Sequence, residues 1–136
     1  MKGKFAALAL FLSACSSGPP PRTLADVSRD RYLADPQTSE EMKAAIRSGV
    51  VIVGMCPLQA FAAAGLPGPY KVKVDQSVWG PGPVFPPKVV TAQCDNPDGS
   101  EIELKFRNAT QFDGDAPVVF NVKFVRGKVV EITRQQ

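Results

Sequence analysis

The chain has 136 residues, a length for one domain and not two. Its composition, 44% hydrophobic and 21% charged, is that of a globular domain, and 13 prolines argue against long uninterrupted helices. There is no histidine, which excludes histidine general bases, Ser-His-Asp and Cys-His arrangements and histidine-ligated metals, and a formal charge of +3 gives little reason to expect nucleic acid as a partner.

Residues 1–14 have the form of a signal peptide. Lys2 and Lys4 make a positive start, and the apolar run from Phe5 to Leu12 is far shorter than the ~20 residues that cross a bilayer. Leu12-Ser13-Ala14-Cys15 resembles the lipobox of bacterial lipoproteins. That resemblance implies cleavage before Cys15, acylation of its thiol and new amine, and a lipid anchor in the membrane. Two or more acyl chains hold stably because each buried methylene adds ~0.8 kcal/mol. Ser16, in place of Asp, implies export to the outer membrane, with the domain facing the periplasm. Loss of the leader removes Lys2 and Lys4, so the apparent basicity belongs largely to it.

Residues 15–37 read as the lipidated cysteine and a flexible, proline-rich tether, with Pro19-Pro20-Pro21 holding the chain off the lipid. Within it Thr23-Leu24-Ala25-Asp26 has the capping-box form, and Leu24, Val27, Tyr32 and Leu33 are apolar. This stretch is either a half-turn packed on the domain or a docking segment, with Tyr32 a candidate contact. The compact domain is expected over 38–136. Thr38-Ser39-Glu40-Glu41 caps a first helix with Met42, Ala45 and Ile46 on one face and Gly49 at its end. Pro57 opens a second helix, with Leu58, Phe61 and Ala62 together and Gly65 closing it.

Two such helices need a sheet. Tyr70 to Val74 reads as a short edge strand and Val89 to Cys94 as a further strand, followed by the turn Asn96-Pro97-Asp98-Gly99. Glu101 to Arg107 alternates without error, and Val118, Phe120, Val122 and Phe124 share one face. Arg126-Gly127 is a tight hairpin connection into Lys128 to Thr133, with Val130 and Ile132 expected inward. The fold class is therefore α+β in two layers, two short N-terminal helices on an antiparallel meander of three to five strands.

Gly54-Met55, then Gly65 and Pro67, resemble the pattern of the BamE (SmpA/OmlA-like) outer-membrane lipoproteins, whose two-layer fold is shared with β-lactamase-inhibitor-like proteins. The resemblance implies a non-catalytic scaffold or accessory subunit in outer-membrane protein assembly, with an envelope protein as partner. In this reading Met55 plugs the gap between helix and sheet, Gly65 takes a left-handed cap and Pro67 stops the helix. Cys56 stands where the family has Thr or Ser, a poorer helix cap.

With Cys15 lipidated, Cys56 and Cys94 remain, and in an oxidising periplasm an even pair reads as a disulfide. Asp95, Asp98, Asp113 and Asp115 lack calcium-loop spacing and read as turn residues, so no metal and no cofactor is expected. Val78, Trp79, Val84 and Phe85 in a Gly/Pro frame are the stretch that invites a binding reading. Trp79 and Phe85 either face a partner, or Trp79 folds back over the sheet edge. The competing function is a periplasmic inhibitor or ligand-binding protein that uses the exposed sheet face and the 77–87 loop.

Overall fold

The computed structural model describes residue 18 and residues 20–135. The leader over 1–14 and Cys15 lie outside the described residues. The described chain forms three helices, a short strand, two further short helices and three long strands.

Helix α1 (Leu24–Ala34) begins at Thr23, whose side chain accepts from the Asp26 N–H at 3.2 Å while Asp26 accepts from the Thr23 N–H at 3.0 Å. This capping box shuts the first turn reciprocally. The sequence reading placed this segment in the tether, as a half-turn packed on the domain or a docking segment; the structure gives a full helix of 11 residues packed on the domain. Ala25, Ser28 and Tyr32 are buried at helical spacing, so the packed body starts at Thr23 and not at Thr38. Ala25 and Ser28 are small, which is why the apolar stripe is weak in sequence although the helix is well seated.

Arg29 ties this helix down. Its guanidinium donates to the carbonyls of Ile46 at 2.7 Å and Ala62 at 3.4 Å. Those carbonyls belong to the last turns of α2 (Glu40–Ser48) and α3 (Pro57–Ala64), where a cation satisfies orphan acceptors and meets the negative end of each helix dipole. Arg29→Ala should cost about 2 kcal/mol in urea unfolding, with Arg29→Lys recovering part of it. An unchanged midpoint in Arg29→Ala would remove the clamp from the account.

Helix α2 is capped by Ser39, which accepts from the Met42 N–H, and it ends at Gly49 in the left-handed region. Helix α3 starts with Pro57, and its cap is divided between two residues. Gln59 accepts from the Cys56 N–H at 3.0 Å, and the Cys94 sulfur accepts from the Leu58 N–H at 3.3 Å.

Strands β1 (Lys71–Lys73), β2 (Glu101–Asn108), β3 (Val118–Val125) and β4 (Lys128–Arg134) form one antiparallel sheet in chain order. Ile102, Leu104 and Phe106 of β2 and Phe120, Val122 and Phe124 of β3 point inward and are buried to 1% exposure or less. They pack with Ile46, Met55 and Phe61, and Phe106 lies between Phe61 and Phe120 at ring separations of 6.2 and 5.8 Å. Each fully buried large side chain contributes on the order of 2 kcal/mol, so this facing set is the main source of stability.

Two strand expectations are corrected. Val89 to Cys94 is not a strand: Pro86–Ala92 forms a helix, α5. Pro86 and Pro87 occupy its first turn, where a missing N–H costs nothing and φ is preset, and the Val89-Val90 run is equally compatible with a buried helix face. Val130 does not point inward. Opposite β3, Lys123 pairs with Glu131 and Phe124 with Val129, so Val130 is the extra residue of a bulge and lies half exposed while Val129 takes the core position. Three helices rather than two precede the sheet. The α+β class holds, with four strands.

Candidate functional site

The topology gives the molecule two poles. Strand β2 runs from Glu101 to Asn108, about 26 Å at the usual rise. At its far end Asn108 and Thr110 donate to the Gly49 carbonyl, and Gln111 clasps both backbone groups of Val51. Arg29 contacts the ends of α2 and α3 there, so the start of α1 lies at this pole. At the opposite pole α1 ends with Arg31 paired to Asp95 at 3.1 Å and Tyr32 against Cys56. The β3–β4 hairpin tip, the 95–99 turn and the 74–87 loop meet there.

A polar network fixes the loop. The Trp79 indole N–H donates to Asp98 at 2.7 Å, the Gln93 amide donates to Asp98 at 3.0 Å, and the Ser100 N–H donates to its other oxygen at 2.7 Å. Gln93 in turn accepts from the Asp98 N–H, which closes a ring between α5 and the turn. Burial pushes the Asp98 carboxyl up, but the hydrogen bonds from Ser100, Gln93 and Trp79 outweigh it and hold the group below its ordinary range. Asp75 caps helix α4 (Gln76–Trp79), accepting from the Ser77 N–H and hydroxyl and from the Gly99 N–H. The Ser77 and Gly99 hydrogen bonds lower its pKa as well.

Gly99 and Gly127 are required here by close approach. A Cβ on Gly99 would sit 2.8 Å from the Asp75 carboxylate, and one on Gly127 would sit 2.8 Å from the Gln93 carbonyl and Pro97. The Asp75 carboxylate reaches the turn, and the hairpin tip meets the backbone after α5, because these two positions carry no side chain.

The residues singled out in sequence divide as follows. Trp79 folds back: it is half-buried with its N–H bound to Asp98. Phe85 and Val78 stay outside, 70% and 60% exposed. The structure therefore splits the loop into an anchor, Trp79, and a displayed pair. Tyr32 is buried at 6% exposure, its hydroxyl 3.7 Å from the Cys56 sulfur, so it is not part of a surface with Phe85. Cys56 and Cys94 form the disulfide, joining the start of α3 to the residues after α5. Gly54 and Met55 exchange backbone hydrogen bonds with Val129 at 3.0 and 2.8 Å, covering the outer edge of β4, and Met55 is fully buried. Gly65 has positive φ but extended ψ, not the left-handed helical cap expected, and its N–H returns to the Phe61 carbonyl. Pro67 follows, half-buried.

Sequence reasoning missed the network itself. Asp98 was legible as a turn residue, and nothing local distinguished it from Asp95, which is exposed and bound to Arg31. Among the described residues no group of three acidic or cysteine side chains could hold a metal. No helix among them is long and apolar enough to cross a membrane. The outer sheet face carries an alternating row, Lys71, Glu103, Lys123 and Glu131, in register across all four strands. Opposite charges on neighbouring strands avoid like-charge repulsion and suit a solvated face. No protein-family model matches the chain, and neither a curated protein nor a solved structure matches it.

Proposed function

We propose that this protein is a non-catalytic lipoprotein, held in the outer membrane by acylated Cys15, that serves as a scaffold or accessory subunit in cell-envelope assembly. The observation that carries this reading is the two-pole arrangement. The chain leading from Cys15 reaches the body at the pole where α1 starts, and the displayed Phe85 and Val78 lie at the other. Ser16 to Thr23 is eight residues, which can span at most about 28 Å. A body tethered this closely would point its apolar loop away from the lipid, toward periplasmic proteins. The Cys56–Cys94 disulfide suits an oxidising compartment. Rigid loops presenting an aromatic group are favoured binding anchors.

Cys15→Ala tests the anchor. The variant should accumulate as an uncleaved precursor absent from the outer-membrane fraction, and it should take up no labelled fatty acid. Normal fractionation of the variant would refute the lipoprotein assignment. Affinity capture from solubilised membranes tests the role: co-purification with an envelope assembly protein supports scaffolding, and capture of a soluble enzyme supports the inhibitor reading instead.

A further inference from the structure

The loop pole has a charge pattern with a direction. Of its carboxylates, Asp75 and Asp98 are occupied by N–H and O–H donors and the exposed Asp95 by Arg31. Its cations are turned outward. Arg126 and Lys88 are exposed and form no ion pair among the described residues, and Lys73 has only Glu101 at 3.7 Å. Between loop and hairpin tip runs an open groove lined by two cations, Lys73 and Arg126, by one carboxylate, Asp75, whose two oxygens already accept from Ser77 and Gly99, and by Val84 and the bare backbone of Gly80 and Gly82. Phe85, next in the chain to the lining residue Val84, is displayed on the same loop.

Arg126 is the informative residue. It has φ of 50°, the only positive value outside glycine among the described residues. It holds the first central position of a two-residue hairpin turn, where Asn, Asp or Gly sits with least strain. Arg126 thus stands at a strained position, where it sets a guanidinium on the groove wall.

We propose that this groove binds an acidic segment of a protein partner, with Arg126 and Lys73 meeting its carboxylates and an apolar side chain of the segment set against Val84 and Phe85. The proposal rests on the reading of this pole as partner-facing and names the chemistry it selects. Complementary charge would supply orientation and fast encounter, and the apolar anchor would supply lifetime.

The test uses the mature full-length protein in detergent and its single tryptophan, Trp79, which directly precedes the lining residue Gly80. A synthetic peptide alternating Asp and Leu should change Trp79 emission saturably, and raising the salt should weaken the effect strongly. Arg126→Asn, which suits the turn, should keep or raise the melting temperature and lower affinity for the peptide ~5–10-fold, the scale of one lost charge contact. Phe85→Ser should weaken binding without unfolding. Equal binding of a Lys/Leu peptide, unaltered affinity in Arg126→Asn, or a response to phosphatidylglycerol vesicles and none to the peptide would each overturn the proposal. Mass measurement of the amino terminus addresses the anchor separately: an unmodified Cys15 would defeat the lipoprotein reading and leave the peptide result standing.

Discussion

Replacing Cys56 and Cys94 together by Ser should lower the unfolding free energy by about 4 kcal/mol, because the bond closes a loop of 38-residue separation. For a body of this size that corresponds to a fall in melting temperature on the order of 15 °C. The effect is large because of what lies inside the loop. Helix α3, β1, the whole 74–87 loop and α5 all fall between the two cysteines, and β1 is only three residues long. Without the cross-link that segment is held by α3, by Val89 and Val90 in the core, and by the Asp98 network. Calorimetry of oxidised and reduced protein checks the expectation. If the two forms melt within a few degrees of each other, the disulfide is not a principal constraint.

Asp98→Ala should cost about 3 kcal/mol, since it strips the acceptor from Trp79, Gln93 and the Ser100 N–H at once and leaves buried donors unpaired. Trp79 emission should shift to the red as the indole loses its anchor. Asp98→Asn keeps the shape but loses the charge, and it should fall between the two. The pH dependence has a definite sign. The folded pKa of Asp98 is lowered, so its contribution to stability is complete above the ordinary aspartate value of about 3.9 and is lost as pH falls through the folded value. Urea midpoints at pH 6 and pH 3 should therefore drop further in the natural protein than in Asp98→Asn. An identical pH response would show that the carboxylate is not ionised in the network.

Trp79 illustrates why site residues are harder to read than elements. As a sequence feature it stands in the same Gly/Pro frame as Phe85, and both invite a binding role. The structure separates them through one hydrogen bond to a residue nineteen positions away. Tyr32 is similar. It reads as one of four apolar residues in the tether and a candidate contact, and it lies on the buried face of α1 against the disulfide. In both cases a distant partner, invisible to spacing, decides which way the ring faces.

The elements that were legible are those whose information is local. Ser39 and Gly49 bracket α2, Pro57 and Gly65 bracket α3, and the alternation in β2 and β3 assigns every inward residue correctly. The failures share one cause as well. The Val89-Val90 run lacks a period long enough to tell helix from strand, and the Val130 bulge shifts register only because of how β4 meets β3 and the Gly54-Met55 segment. Helix α1 reads in sequence as no more than a half-turn because two of its three buried positions, Ala25 and Ser28, are small and announce nothing until a neighbour presses on them.

Capping residues and strand alternation act over a few positions, so the chain by itself determined the α+β class. Which surface is displayed depended on contacts between residues far apart in the chain. Arg29 with two helix ends, Asp98 with Trp79 and Val129 with Gly54-Met55 each join segments that only the packed state brings within hydrogen-bond reach. A hydrogen bond acts over about 3 Å, and no pattern along the chain encodes that proximity.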